Sequence, residues 1–173
     1  PKLRYILRDF LVHIKNKYGV NRIKYEKIDK LSNFAYFPLQ VQPESSIDAF
    51  TNTYDNQINT IKLISKNLPN AMTLVVKDHP IFYGRRSSSY LTKIYNIPNV
   101  KLVSHKENNF NLLNKMKVLF SINGSVLWEA AYLKKPAIVL GDNRMAELLP
   151  NVLKLNSINL IYETTKEVMS KNL

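Results

Sequence analysis

The sequence contains no cysteine, which excludes disulfide staples and thiolate chemistry. Histidine is scarce: His13, His79 and His105 are the only three, and no Cys/His ligand spacing is available. No apolar run approaches the roughly 20 residues needed to span a bilayer. No secretory signal is visible, because Pro1-Lys2-Leu3-Arg4 leads straight into an amphipathic pattern. Acidic residues are also few: 13 against 25 Lys and Arg, a net charge of +12. An initiator Met is missing, so the chain is expected to be a domain cut from a longer protein.

What is present suits one folded domain. The 173 residues are 45% hydrophobic and 22% charged, an ordinary globular balance with enough chain for a substantial core. The positive charge admits two readings. It is either the solvated surface of a Lys- and Asn-rich chain, or an attractor of anions such as a sugar nucleotide, an acidic glycan or an anionic membrane face. Nucleic acid is not an expected partner, since the basic residues are dispersed and no recognised binding motif is present.

The hydrophobic pattern alternates between two periods. Residues 3–18 predict a helix, with Leu3, Ile6, Leu7, Phe10, Leu11, Ile14 and Tyr18 on one stripe. That stripe is expected to pack on its own domain or a partner domain, or to lie as a basic helix on a membrane surface. Residues 21–33 read as a polar connector. Strands are predicted at 34–39, 72–76, 100–103, 118–122 and 137–140, with a weaker one near 152–155. Helices are predicted at 54–68, 87–96, 110–114 and 126–133, with a last one from about Thr165. The alternation implies an α/β fold: a Rossmann-like parallel sheet with helices on both faces. The expected division is residues 1–30 as amphipathic helix and connector, and 31–173 as the Rossmann-like domain.

In such a sheet every strand C-terminus lies on one edge, where ligands bind. Three unusual loops each follow a predicted strand, so they are expected to converge. Asn123-Gly124-Ser125 combines a glycine, for close backbone approach and an unusual φ, with a serine expected to cap the next helix, leaving amides for a phosphate. Glu129 follows Ser125 by four residues on the same helix face, where a carboxylate can accept from vicinal ribose hydroxyls. In Lys77-Asp78-His79-Pro80, Pro80 forces His79 into an extended conformation, which aims its imidazole at a phosphate or leaving-group oxygen while Lys77 adds charge. Gln42, Glu44, Ser45 and Ser46, stiffened by Pro43, form a third polar loop of donors and acceptors. Each feature also has an ordinary structural reading: a helix cap, a first-turn acid, a histidine bonded to local backbone and a capped turn. His13 and His105 are read as structural, and Trp128 as core.

Three of these segments resemble one family when taken together. They are Phe37-Pro38-Leu39-Gln40-Val41-Gln42-Pro43-Glu44-Ser45, Val76-Lys77-Asp78-His79-Pro80, and Ile122-Asn123-Gly124-Ser125-Val126-Leu127-Trp128-Glu129-Ala130-Ala131 followed by Lys135-Pro136-Ala137-Ile138-Val139-Leu140-Gly141. Over residues 34–142 they resemble the bacterial capsule polysaccharide biosynthesis family, which includes the Kdo transferases of capsule linker assembly. The resemblance implies the C-terminal, donor-binding half of a GT-B glycosyltransferase that needs no bound metal, in keeping with the lack of an Asp-x-Asp motif. It implies nucleotide contacts from His79 and Pro80, a phosphate contact from Gly124 and Ser125, and a role for Glu129 in the same site.

The resulting expectation is glycosyl transfer from a CMP- or UDP-linked sugar to a glycan or glycolipid acceptor in capsule or surface polysaccharide biosynthesis. His79 stabilises the leaving group, with Glu44 as a second catalytic candidate. Gln42, Ser45, Lys77, Pro80, Asn123, Gly124, Ser125 and Glu129 bind the donor, with no metal and no other cofactor. A missing N-terminal GT-B domain is the expected partner, and the expected location is cytoplasmic, at or near the inner membrane face. The rival readings are an epimerase-like GT-B enzyme and a non-catalytic module for anionic glycan or membrane.

Overall fold

The computed structural model describes residues 2–41, 54, 56–69 and 71–171. Six strands form one sheet: β1 (Phe34–Pro38), β2 (Thr73–Lys77), β3 (Val100–Val103), β4 (Val118–Ser121), β5 (Ala137–Val139) and β6 (Val152–Lys154). Their order is β3-β2-β1-β4-β5-β6, and every neighbouring pair is parallel. Among the described residues the helices are α1 (Lys2–Asn21), α2 (Gln57–Asn67), α3 (Ser88–Tyr95), α4 (Asn109–Lys115), α5 (Val126–Tyr132), α6 (Arg144–Glu147) and α7 (Ile161–Ser170). The fold is the expected α/β, Rossmann-like one.

Side chains alternate across the pleated strands, and the two sets build two cores. Ala35, Phe37, Leu74, Val76, Val118 and Phe120 face one core, closed by Ile61 and Ile64 of α2, Leu91 and Ile94 of α3, and Ile161 and Val168 of α7. Phe34, Tyr36, Val75, Leu119 and Val139 face the other, closed by Leu112 and Leu113 of α4, Val126, Leu127 and Ala130 of α5, and Ala146 of α6. Because both faces are covered, the inner strands β1, β4 and β5 are almost wholly apolar rather than alternating with polar residues.

Two regions of the chain differ from expectation. Residues 21–33 are more than a polar connector. Glu26 pairs with Val103 at the sheet edge, and Ile28 enters the second core through a short 3-10 turn, Ile28–Lys30. The last helix starts at Ile161, and α6 was not foreseen; four residues carry too little periodicity, but Asn143 caps them by accepting from the Ala146 amide. Helix α1 forms as predicted, and of the readings its stripe admits, packing on this domain is the one not observed. Among the described residues only its C-terminal half is anchored, by Asn16 and Val20 and by packing against α3. Its apolar stripe is not buried on this domain: Leu3, Leu7 and Phe10 are 79%, 58% and 58% exposed. No described helix is long and apolar enough to cross a membrane.

The strand order fixes where a ligand belongs. From β1 the chain winds outward through β2 and β3, then returns to place β4 on the other side of β1. The reversal leaves a crevice at the carboxyl ends of β1 and β4, the usual ligand position in open α/β sheets.

Candidate functional site

A cleft of about 530 Å³ opens at this crevice, within the size range of small-molecule sites. Its walls are the ends of β1 and β2, the Asp78-His79-Pro80 loop, the Asn123-Gly124-Ser125 turn, and Asn109, Val126 and Glu129 from α4 and α5. Seven residues singled out from sequence, Lys77, His79, Pro80, Asn123, Gly124, Ser125 and Glu129, therefore line one cavity. Gln42, Pro43, Glu44, Ser45 and Ser46 lie outside the described residues.

The local geometry corrects several expectations. Ser125 does not cap α5: it already has helical φ/ψ (−57°, −19°) and makes no capping bond, so its exposed side chain stands at the cleft. The buried Ser121 hydroxyl serves the turn instead, accepting from the Gly124 amide at 3.1 Å. Gly124 does not take a positive φ. Glycine is required there by proximity, since a Cβ would fall 2.7 Å from Gln40 Nε2 and 3.1 Å from Ser121 Oγ. Trp128 is not core but half exposed on α5.

His79 is extended, as Pro80 requires (φ −69°, ψ 131°), and Pro80 starts a 3-10 turn, Pro80–Phe82. The imidazole is not wholly free. Its Nδ1 accepts from the Ile81 amide at 3.3 Å, so the proton of the neutral ring sits on Nε2. His105 stacks on Tyr83 with ring centroids 4.1 Å apart, a packing role. His13 lies against Gly84, away from the cleft.

Behind these walls lie two polar networks that sequence reasoning missed. In the first, Asp78 Oδ1 accepts from Arg86 Nε at 3.0 Å and from the His79 amide at 2.8 Å. Arg86 Nη2 donates to the Gln40 carbonyl at 2.8 Å, and Gln40 Nε2 donates to Ser121 Oγ at 3.0 Å. Gln57, at the start of α2, grips the Gln40 backbone from both sides, accepting from its amide at 2.8 Å and donating to its carbonyl at 3.2 Å. One connected chain thus joins the His79 loop to the Gly124 turn across β1. Burial pushes the Asp78 carboxyl above its usual range, against the opposing pull of Arg86. Both partners of this pair are over nine-tenths buried, so deleting either one leaves a charge stranded.

In the second network Asn109 is the hub. Its Oδ1 accepts from Tyr36 Oη at 2.7 Å and from Lys77 Nζ at 3.4 Å, while its Nδ2 donates to Glu129 Oε2 at 2.9 Å. Lys77 is the last residue of β2 and is almost fully buried. Burial holds its pKa below the usual lysine range, and the charges of Glu129 and Glu107 resist that shift. Glu129 is therefore tied into a network rather than free in solvent. Asn109 was legible only by position: it closes the loop after β3, a fourth segment on the same sheet edge.

The model of one family, described as capsule polysaccharide biosynthesis protein, matches residues 4–146. The chain belongs to the capsule polysaccharide biosynthesis family. No curated protein matches the sequence closely. Among solved structures, the chain is similar to KpsC, a beta Kdo 2,4 transferase of Thermosulfurimonas dismutans (TM-score 0.56, 15% identity), over 91% of this chain and 54% of that one. It is also similar to the UDP-GlcNAc 2-epimerase of Methanocaldococcus jannaschii, solved with UDP-GlcNAc and UDP (TM-score 0.57, 14% identity), over 96% of this chain and 45% of that one. A third is S. aureus MnaA with UDP (TM-score 0.55, 17% identity), over 90% and 42% of the two chains. At these identities the likeness establishes the Rossmann-like fold shared by GT-B transferases and epimerases, not a shared reaction. This family member spans about half the length of those structures.

Proposed function

We propose that this chain is the donor-binding, C-terminal half of a GT-B glycosyltransferase that uses a CMP- or UDP-linked sugar to build capsule or another surface polysaccharide. The observation that carries the reading is the convergence of His79, Gly124, Ser125 and Glu129 on one cleft at the β1/β4 switch point, in a member of a capsule-synthesis family. In this reading residues 31–173 form the nucleotide-sugar-binding unit. The glycan or glycolipid acceptor is bound with the help of a second domain, and the basic surface favours work near an anionic membrane face.

The chemistry follows from the residues. Negative charge grows on the leaving phosphate as the sugar departs. His79 Nε2–H, the Ser125 hydroxyl, the amides at the start of α5 and Lys77 stabilise it, without a metal. Such preorganised donors are each worth roughly 2.7–4 kcal/mol in a dry site. Asn123 and Pro80 shape the phosphate pocket and Glu129 holds the ribose, while the sequence offers Gln42 and Ser45 as further donor contacts and Glu44 as a second catalytic group.

Titration calorimetry with CMP, UDP and GDP tests the reading. We expect one of the first two to bind, with unchanged affinity in EDTA. Affinity falls about tenfold or more in His79→Ala and in Ser125→Ala, as for loss of a hydrogen bond to a charged group. Gly124→Ala also weakens binding, because its methyl displaces Gln40. A folded wild-type chain that binds none of the three nucleotides defeats the reading.

A further inference from the structure

We propose that Asn109 is a positioning residue that makes this cleft select ribonucleotides over 2′-deoxyribonucleotides. The proposal rests on the donor-site reading above, in which Glu129 accepts from the ribose hydroxyls.

The bond pattern leaves the Asn109 amide one orientation. Lys77 has no acceptor to offer, so it must face Oδ1. The Glu129 carboxylate accepts, so it must face Nδ2. Tyr36 confirms the assignment. Its hydroxyl is buried beside Glu129, both of which push its pKa far up, so it remains a donor to Oδ1. Three donor–acceptor pairs from four elements, β1, β2, α4 and α5, thus agree on one rotamer.

The consequence falls on Glu129. Asn109 binds Oε2 and leaves Oε1 as the acceptor for a ligand hydroxyl. It also stands between opposite charges, since Lys77 and Glu129 attract one another across it. Without the amide, a glutamate with three rotatable bonds collapses toward the buried ammonium, where its Coulomb gain is largest. A carboxylate drawn down to Lys77 no longer reaches the sugar. A 2′-hydroxyl then gains nothing over hydrogen, and discrimination disappears while phosphate contacts remain.

The test is calorimetry with the matched pairs CMP/dCMP and UDP/dUDP on wild type, Glu129→Ala, Asn109→Ala and Asn109→Asp. Wild type should prefer the ribose form of its nucleotide by about tenfold or more. That preference should vanish in Glu129→Ala and in Asn109→Ala alike, with the ribose form losing more affinity than the deoxy form, which offers Glu129 only a 3′-hydroxyl. In Asn109→Asp two carboxylates meet next to Lys77 and Tyr36. The preference should be absent at neutral pH and return as the pH is lowered, when a proton shared by the pair restores a donor to Glu129. A preference lost in Glu129→Ala but kept in Asn109→Ala overturns the proposal alone. Wild type that binds without preferring ribose overturns the Glu129 role as well, and wild type that binds neither form overturns the donor-site reading. Should Asn109→Ala fail to fold by circular dichroism, the Asn109→Asp titration decides, and a preference absent at every pH overturns the proposal.

Discussion

At the scale of single residues, the site trades stability for charge. Lys77 ends a central strand almost fully buried, with its pKa lowered by burial. A lysine whose folded pKa lies below its unfolded value loses stability as pH falls through the folded value, and regains it above the unfolded one. At neutral pH its charge therefore costs folding energy, and its return is a cation inside the cleft. Lys77→Met should raise stability to urea at neutral pH while weakening nucleotide binding. The stability gain should narrow as pH approaches the ordinary lysine value of 10.5. Unfolding midpoints across that range check the sign. Residue identity was legible here only in part. A lysine before Asp-His-Pro announces charge near a site, but its desolvation depends on what covers it. Ser125 shows the same limit: its type suits a cap, yet Ser121, four residues earlier, makes the bond.

Among the elements, α1 behaves unlike the rest. Its sequence pattern is the longest helical one in the chain, and the helix forms. Periodicity, however, says only that one face is apolar, not what covers it. In the structure the anchor is Val20, 3% exposed, and the stripe from Leu3 to Ile14 packs on nothing described. Leu7→Ser and Phe10→Ser should therefore each change stability by no more than about 0.5 kcal/mol, whereas Val20→Ala should cost about 1–3 kcal/mol. Thermal or urea unfolding of the three variants separates them. Short elements were read less well for a related reason. Four residues of α6 and three of the turn Ile28–Lys30 complete too few periods to signal a helix, and they exist because Asn143 supplies a cap and Ile28 a buried contact.

On the scale of the whole molecule, stability should be graded from the sheet centre outward. β1 and β4 are paired on both sides and covered on both faces, whereas α1 is held at one end. Hydrogen exchange should accordingly be slowest at Tyr36, Val75 and Leu119 and fastest in the first turns of α1. Early protection of α1 in the isolated chain would show that its apolar face is covered after all. The sequence by itself determined the class of fold, because alternating runs of period near 3.6 and short apolar strands admit few arrangements besides a covered parallel sheet. It also determined that the loops after β2 and β4 share an edge, since every strand of such a sheet points the same way. Tertiary structure alone decided the rest. The order β3-β2-β1-β4-β5-β6 put the crevice between β1 and β4, and long-range hydrogen bonds made Gln40, Gln57, Arg86 and Asn109 part of the site. Those bonds join residues 17 to 81 positions apart, and a pairing over such distances leaves no periodic trace in the chain that makes it.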